Sequence, residues 1–176
     1  MTLVAPNTSV KPSPALSQYG AAPQSLAGKK IGILVTNGSD AKLIDALKKK
    51  AQGEKAVVEI VAPTAGGVVL DNNAKLSADQ FVEGAPSALF DAVMIAPSEK
   101  GCAELLRKAA AVDWLRMAFA HLKVIGYTTE ALPLFEAGRI DPHADEGLVP
   151  VKAGKLGEFV EQAKRHRIWE REVQVR

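Results

Sequence analysis

Cysteine is nearly absent from this 176-residue chain, and its single copy, Cys102, excludes an internal disulfide framework. Aromatic residues make up only 5%, so a core must be built mainly from Ala, Val, Ile and Leu. Three histidines, His121, His143 and His166, are scattered without ligand spacing, so no metal site is expected. Neither charge sign dominates: 22 basic residues face 20 acidic ones, interleaved along the chain, which argues against a nucleic-acid surface. No apolar run approaches the roughly 20 residues of a membrane helix, and the N-terminus lacks the pattern of a signal peptide. The reading is of a soluble chain with no nucleic-acid or membrane partner, compatible with a cytoplasmic or a secreted location.

What is present is 47% hydrophobic sequence, enough for one compact domain. Residues 1–28 carry four of the ten prolines and read as an extended linker ahead of a single domain at 29–176, as in a piece of a longer polypeptide. From Lys29, KKIGILVT predicts a buried strand ended by Asn37-Gly38, and Asp40 to Gln52 a helix. Ala56 to Ala62 and Ala92 to Ala96 predict two more strands, with a small hairpin excursion at 65–77 between them. Cys102 to Leu122 reads as helical, with Val112, Leu115, Phe119 and Leu122 on the apolar face. Val124 to Tyr127 predicts a strand, Glu130 to Ala137 its helix stopped by Gly138, Leu148 to Val151 an edge strand, and Leu156 to Ala163 a last helix. This order implies a doubly wound, mostly parallel α/β sheet of flavodoxin-like type with helices on both faces.

Ligands of such sheets bind beyond the carboxyl ends of the strands, here Thr36 to Asp40, Pro63 to Gly67, Pro97 to Cys102 and Tyr127 to Glu130. Thr36, Asn37, Gly38 and Ser39 have the chemistry of an anion, flavin or nucleotide cradle, or of a plain turn whose Ser39 or Asp40 caps the next helix. Cys102, near Lys100 and a helix start, is either a thiol of lowered pKa or a small packing residue. Thr128 and Thr129 are hydroxyl nucleophiles lacking an assured base, or helix-start residues with Glu130 in the first turn. Trp114 and Trp169 are core residues or interface anchors, and His143 belongs to a solvated acidic loop.

Read together, GAPSALFDAVMIAP (Gly84 to Pro97), AFAHLKVIGYT (Ala118 to Thr128), DEGLV (Asp145 to Val149) and HRIWER (His166 to Arg171) resemble the C-terminal domain of large-subunit heme catalases, of fungal type. PALSQYG (Pro14 to Gly20) is similar to the linker that joins that domain to the catalase core. The resemblance implies a domain without a cofactor of its own, attached to a peroxide-decomposing heme core, stabilising the homotetramer and limiting access to the heme. That domain is in turn similar to the ThiJ/PfpI branch of the class I glutamine amidotransferase-like superfamily, which adds two alternatives. These are a holdase chaperone binding unfolded client proteins, and a residual thiol hydrolase or glyoxalase-like activity through Cys102. The superfamily pattern places Thr128 at the nucleophile position, Leu43 at the assisting acid, and Pro97-Ser98 at the glycine pair that supplies oxyanion amides. It therefore implies no catalytic residue in this chain. The heme-tyrosine pattern of catalases would need an arginine four residues before Tyr127, where Lys123 stands, so heme belongs to the parent core.

Overall fold

The computed structural model describes residues 9, 11, 13–17 and 24–175, so most of the proline-rich segment lies outside it. Of that segment, Pro14–Leu16 form an exposed 3-10 turn, while Leu26 is fully buried, so the core reaches back to that residue. The KKIGILVT run forms β1 (Lys30–Val35). Its Ile31, Ile33 and Val35 enter one core cluster and Leu34 the other, the alternation of a strand covered on both faces. Asp40 starts α1 (Ala41–Gly53), its Oδ1 accepting the Lys42 and Leu43 backbone N–H groups at 2.8 and 3.1 Å. Leu43, Ile44, Leu47 and Ala51 form its buried stripe.

β2 (Val57–Ala62) follows, then the antiparallel hairpin of β3 (Val68–Val69) and β4 (Lys75–Leu76), within the predicted excursion. A two-residue edge strand, β5 (Gln80–Phe81), is an element that the sequence pattern does not predict. Both its residues are exposed, and a polar contact fixes it: Asp79 Oδ2 accepts the Ile60 N–H at 2.7 Å while the Asp79 N–H donates to the Ile60 carbonyl. β6 (Ala92–Ala96) is buried throughout.

The predicted single helix at 102–122 is two, α2 (Glu99–Leu105) and α3 (Ala109–Ala120), separated where Lys108 adopts an extended conformation. The buried face of α3 is also rotated from the expected one. Ala111, Trp114, Leu115 and Ala118 are covered, Val112 and Phe119 only half so, because the Trp114 Nε1–H reaches the Ala85 carbonyl at 3.0 Å. β7 (Ile125–Tyr127) leads through a 3-10 turn, Thr129–Ala131, into α4 (Leu132–Gly138). That helix is closed by Arg139 at φ +56°, one residue past the glycine expected to stop it. β8 (Leu148–Pro150), α5 (Gly157–Ala163) and a terminal turn, α6 (Glu172–Val175), complete the chain.

The six-stranded sheet has the order β5-β2-β1-β6-β7-β8, and all five ladders are parallel. Helices α1 and α5 cover one face, and α2, α3 and α4 the other. The chain runs outward from β1 to β2 and then returns to β6, so the topological switch point lies between β1 and β6.

Two buried cations fasten the amino end of the sheet, and one of them, Arg171, joins the C-terminal segment to it. Lys123 is 1% exposed, and its Nζ donates to the carbonyls of Ser87 at 3.0 Å, Ala88 at 2.9 Å and Phe90. Arg171 is fully buried, with Nη1 on the Lys123 carbonyl at 2.8 Å and its guanidinium 4.5 Å from the Phe119 ring centre.

Candidate functional site

The loops after β1, β6, β7 and β8 surround an open cleft of about 790 Å³ at the switch point. Three of the four loops expected from sequence contribute to its lining: Gly38 and Asp40, Pro97 to Glu99, and Thr128 to Glu130. Pro63 to Gly67 does not. It opens the β3–β4 hairpin, where Gly67 takes φ +82° and a Cβ would lie 2.1 Å from the Leu76 carbonyl oxygen. Leu43, Asp71, Ala96 and the segment Val151 to Ala153 complete the lining. Asp71 was legible only as a turn residue, yet its Oδ1 accepts the Ala41 N–H at 3.0 Å, 30 residues away in sequence.

The anion cradle expected at Thr36 to Ser39 is not available as one. The Gly38 N–H donates to the Val69 carbonyl, Asn37 Oδ1 accepts the Val69 N–H, and Ser39 Oγ donates to the Ala96 carbonyl at 2.7 Å. Thr36 Oγ1 accepts the Ser98 N–H at 2.9 Å. The first three amides of α1 are capped by Asp71 and Asp40, so the helix presents carboxylates where a phosphate would need free donors. The turn and capping reading is the one this geometry supports.

Thr128 is 9% exposed and lines the cleft, with φ −89° and ψ +163°. This is ordinary extended backbone, unlike the strained strand-to-helix turn of a nucleophile elbow. Its N–H donates to the Ile95 carbonyl and its carbonyl accepts the Ala131 N–H, but Oγ1 has no hydrogen-bond partner. Thr128 Oγ1 therefore does not cap the following turn, as a helix-start residue would. Leu43, apolar and 1% exposed, lines the cleft where an assisting acid would be required. Pro97 has no N–H, and the Ser98 N–H is committed to Thr36, so neither is free to stabilise an oxyanion.

Cys102 is the fourth residue of α2 and 2% exposed. Burial raises its pKa, the Leu134 backbone opposing and Glu130 adding to the rise, so the lowered pKa read from Lys100 and the helix start is corrected. It is a packing residue of the α2–α4 face. The tryptophan alternatives resolve for Trp114, which is core. His121 lies exposed at the end of α3 with Nδ1 2.8 Å from the Met117 carbonyl, and His143 is exposed in its loop. Among the described residues no group of His, Cys, Asp or Glu is placed to hold a metal, and no helix is long and apolar enough to cross a membrane.

Residues 27–173 match the family described as the C-terminal domain found in long catalases. Catalase C of Rhizobium meliloti is 38% identical over 174 residues, covering 98% of this chain and 25% of the relative. Catalase-1 of Neurospora crassa is 27% identical over 184 residues, covering 89% of this chain and 25% of the relative. The chain thus spans about a quarter of the length of these relatives, and the fungal character read from its sequence gains no support beside the more similar bacterial protein. Among solved structures, a two-domain protein of Anabaena variabilis with DJ-1/ThiJ/PfpI-like and ferritin-like domains superposes with a TM-score of 0.57 at 16% identity. It covers 62% of this chain and 32% of that one, and carries the fold assignment alone.

Proposed function

The chain belongs to the family of C-terminal domains found in long catalases, and we propose that it is a non-catalytic domain serving an attached heme core. In that role it docks on the core and on neighbouring subunits, stabilises a homotetramer and shapes access to the heme. The observation that carries this reading is Thr128. At the position where the superfamily pattern puts a nucleophile, a buried hydroxyl stands with no hydrogen-bonded base among the described residues, beside Leu43, Pro97 and a Ser98 N–H already committed to Thr36.

Long catalases are heme enzymes, but Tyr127, the residue weighed as a heme ligand, does not fit that role. The Tyr127 hydroxyl donates to the Pro142 carbonyl at 3.2 Å, and burial raises its pKa, with Asp141 adding to the rise, which disfavours the phenolate an iron ligand requires. Lys123 is held by its three carbonyls.

Docking would cover apolar side chains that now stand in solvent: Leu16, Val57, Leu89 and Val173 are each more than half exposed. The test is association. Titrated into the heme core of Rhizobium meliloti Catalase C lacking its own C-terminal quarter, this chain should co-sediment with it, whereas independent sedimentation at all ratios would contradict docking. The same exposed side chains also favour the holdase reading, since unfolded clients are held by apolar contact. Suppressed aggregation of a heat-labile client at equimolar chain supports that second function, and unchanged aggregation removes it.

A further inference from the structure

The two ends of the parallel sheet differ in what they present to solvent. At the carboxyl end, the cleft lining carries Asp40, Asp71, Glu99 and Glu130. At the amino end, the turn before β6 has no charged residue from Gly84 to Phe90; Ala85, Ser87 and Phe90 are buried, while Pro86, Ala88 and Leu89 are exposed. A buried cation holds this turn, because Lys123 Nζ donates to the carbonyls of Ser87, Ala88 and Phe90. The Lys123 carbonyl in turn accepts Arg171 Nη1, so Val173, two residues on and 79% exposed, is fastened to the same end. The outward side chains of the turn are thus apolar and fixed in place, as the core of an interface requires.

The chain enters the domain at this same end. Leu26 is buried, and the Gly28 N–H donates to the Lys55 carbonyl just before β2. Asp91, next to the apolar turn, accepts the Lys30 N–H at 2.9 Å and pairs with the Lys29 ammonium at 3.5 Å, so the entering segment and the turn are joined directly. In a C-terminal domain of a long catalase the remaining polypeptide precedes the matched residues 27–173, and this chain spans only 25% of Catalase C of Rhizobium meliloti. A covalent tether at residue 27 keeps whatever precedes it at high effective concentration beside the turn. Resting on the docking role proposed above, we propose that the domain docks through the amino end of its sheet. The turn at 86–89, with Val173, meets an apolar surface of the heme core that precedes residue 27, and the carboxylate-lined cleft faces away from it.

The test is amide hydrogen exchange, compared between the isolated chain and a full-length chimera in which it replaces the C-terminal quarter of Rhizobium meliloti Catalase C. Amides of residues 84–90 and of α6 are expected to exchange at least about tenfold more slowly in the chimera, and those of 128–131 at the cleft equally fast in both. Leu89→Glu combined with Val173→Glu, both at exposed positions, should return the first set to the rates of the isolated chain, whereas Thr129→Glu, exposed at the cleft, should not. Slowing at 128–131 without slowing at 84–90 would overturn this inference and leave the docking role standing; equal exchange throughout would overturn both. Slowing at 84–90 that persists in the double variant would overturn the inference alone. So would slowing in the isolated chain that grows with its concentration, which assigns the surface to a second copy.

Discussion

Arg171 and Asp145 form a two-point ion pair, Nε to Oδ2 at 2.7 Å and Nη2 to Oδ1 at 2.8 Å, with the guanidinium fully buried and the carboxylate 9% exposed. It fastens the C-terminal segment to the loop before β8, and Gly147 lies so close that a Cβ there would sit 2.3 Å from Ile168. Removing one partner of such a pair leaves an uncompensated buried charge, which costs about 3–5 kcal/mol. Arg171→Met is therefore expected to lower unfolding free energy by about 3 kcal/mol or more in urea melts, and Asp145→Asn to be at least as severe, because it leaves the fully buried guanidinium without a countercharge.

Lys123 makes stability depend on alkaline pH. Burial pushes its ammonium down to about 8 from 10.5, Arg167 adding to the fall and Asp91 opposing it. Between these values the unfolded chain binds the proton more tightly, so raising pH favours the folded state. Relative to Lys123→Met, the wild type should gain up to about 3 kcal/mol from pH 8 to pH 10.5. A difference that stays flat or shrinks over that range would show that the lysine proton is not held as described.

Thr128→Val removes a buried hydroxyl that has no partner while keeping the shape of the side chain. Its expected effect is neutral or stabilising by about 1 kcal/mol, measured by chemical denaturation. A loss above that size would mean that Oγ1 makes a bond essential to the fold.

Cys102 should react slowly with a chromogenic disulfide reagent in the native state and quickly once unfolded, because burial keeps it protonated and covered. Reaction at the rate of a free thiol in native buffer would contradict its assignment to packing. Thr128→Cys should likewise create no hydrolase or glyoxalase activity, since Leu43 and Pro97 remain.

Much of the fold was legible where composition and position agree. β1 is an apolar run ended by Asn37-Gly38, and Asp40 stands where a helix cap should. Thr128, Leu43 and Pro97, which the superfamily pattern assigns to one site, do line one cleft. Elements fixed by distant polar contacts were not legible: β5 depends on Asp79 meeting Ile60, and the α3 face on Trp114 meeting Ala85. The break between α2 and α3 carries no glycine or proline, and Lys108 there pairs with Glu83, 25 residues away. Nothing in the sequence marks Lys123 and Arg171 for burial; the fold supplies the carbonyls and the carboxylate that bury them. The cleft lining arises in the same way, since Asp71 and Glu130 come to border one cleft only after the sheet is wound.

The most direct measurement of the central claim is thermal inactivation of peroxide decomposition in three proteins. These are Rhizobium meliloti Catalase C, its truncation without the C-terminal quarter, and a chimera in which the present chain replaces that quarter. The account predicts a longer half-life and a more persistent tetramer for the chimera than for the truncation, with Thr128→Val in the chimera making no difference. Identical half-lives and subunit dissociation for chimera and truncation would contradict it.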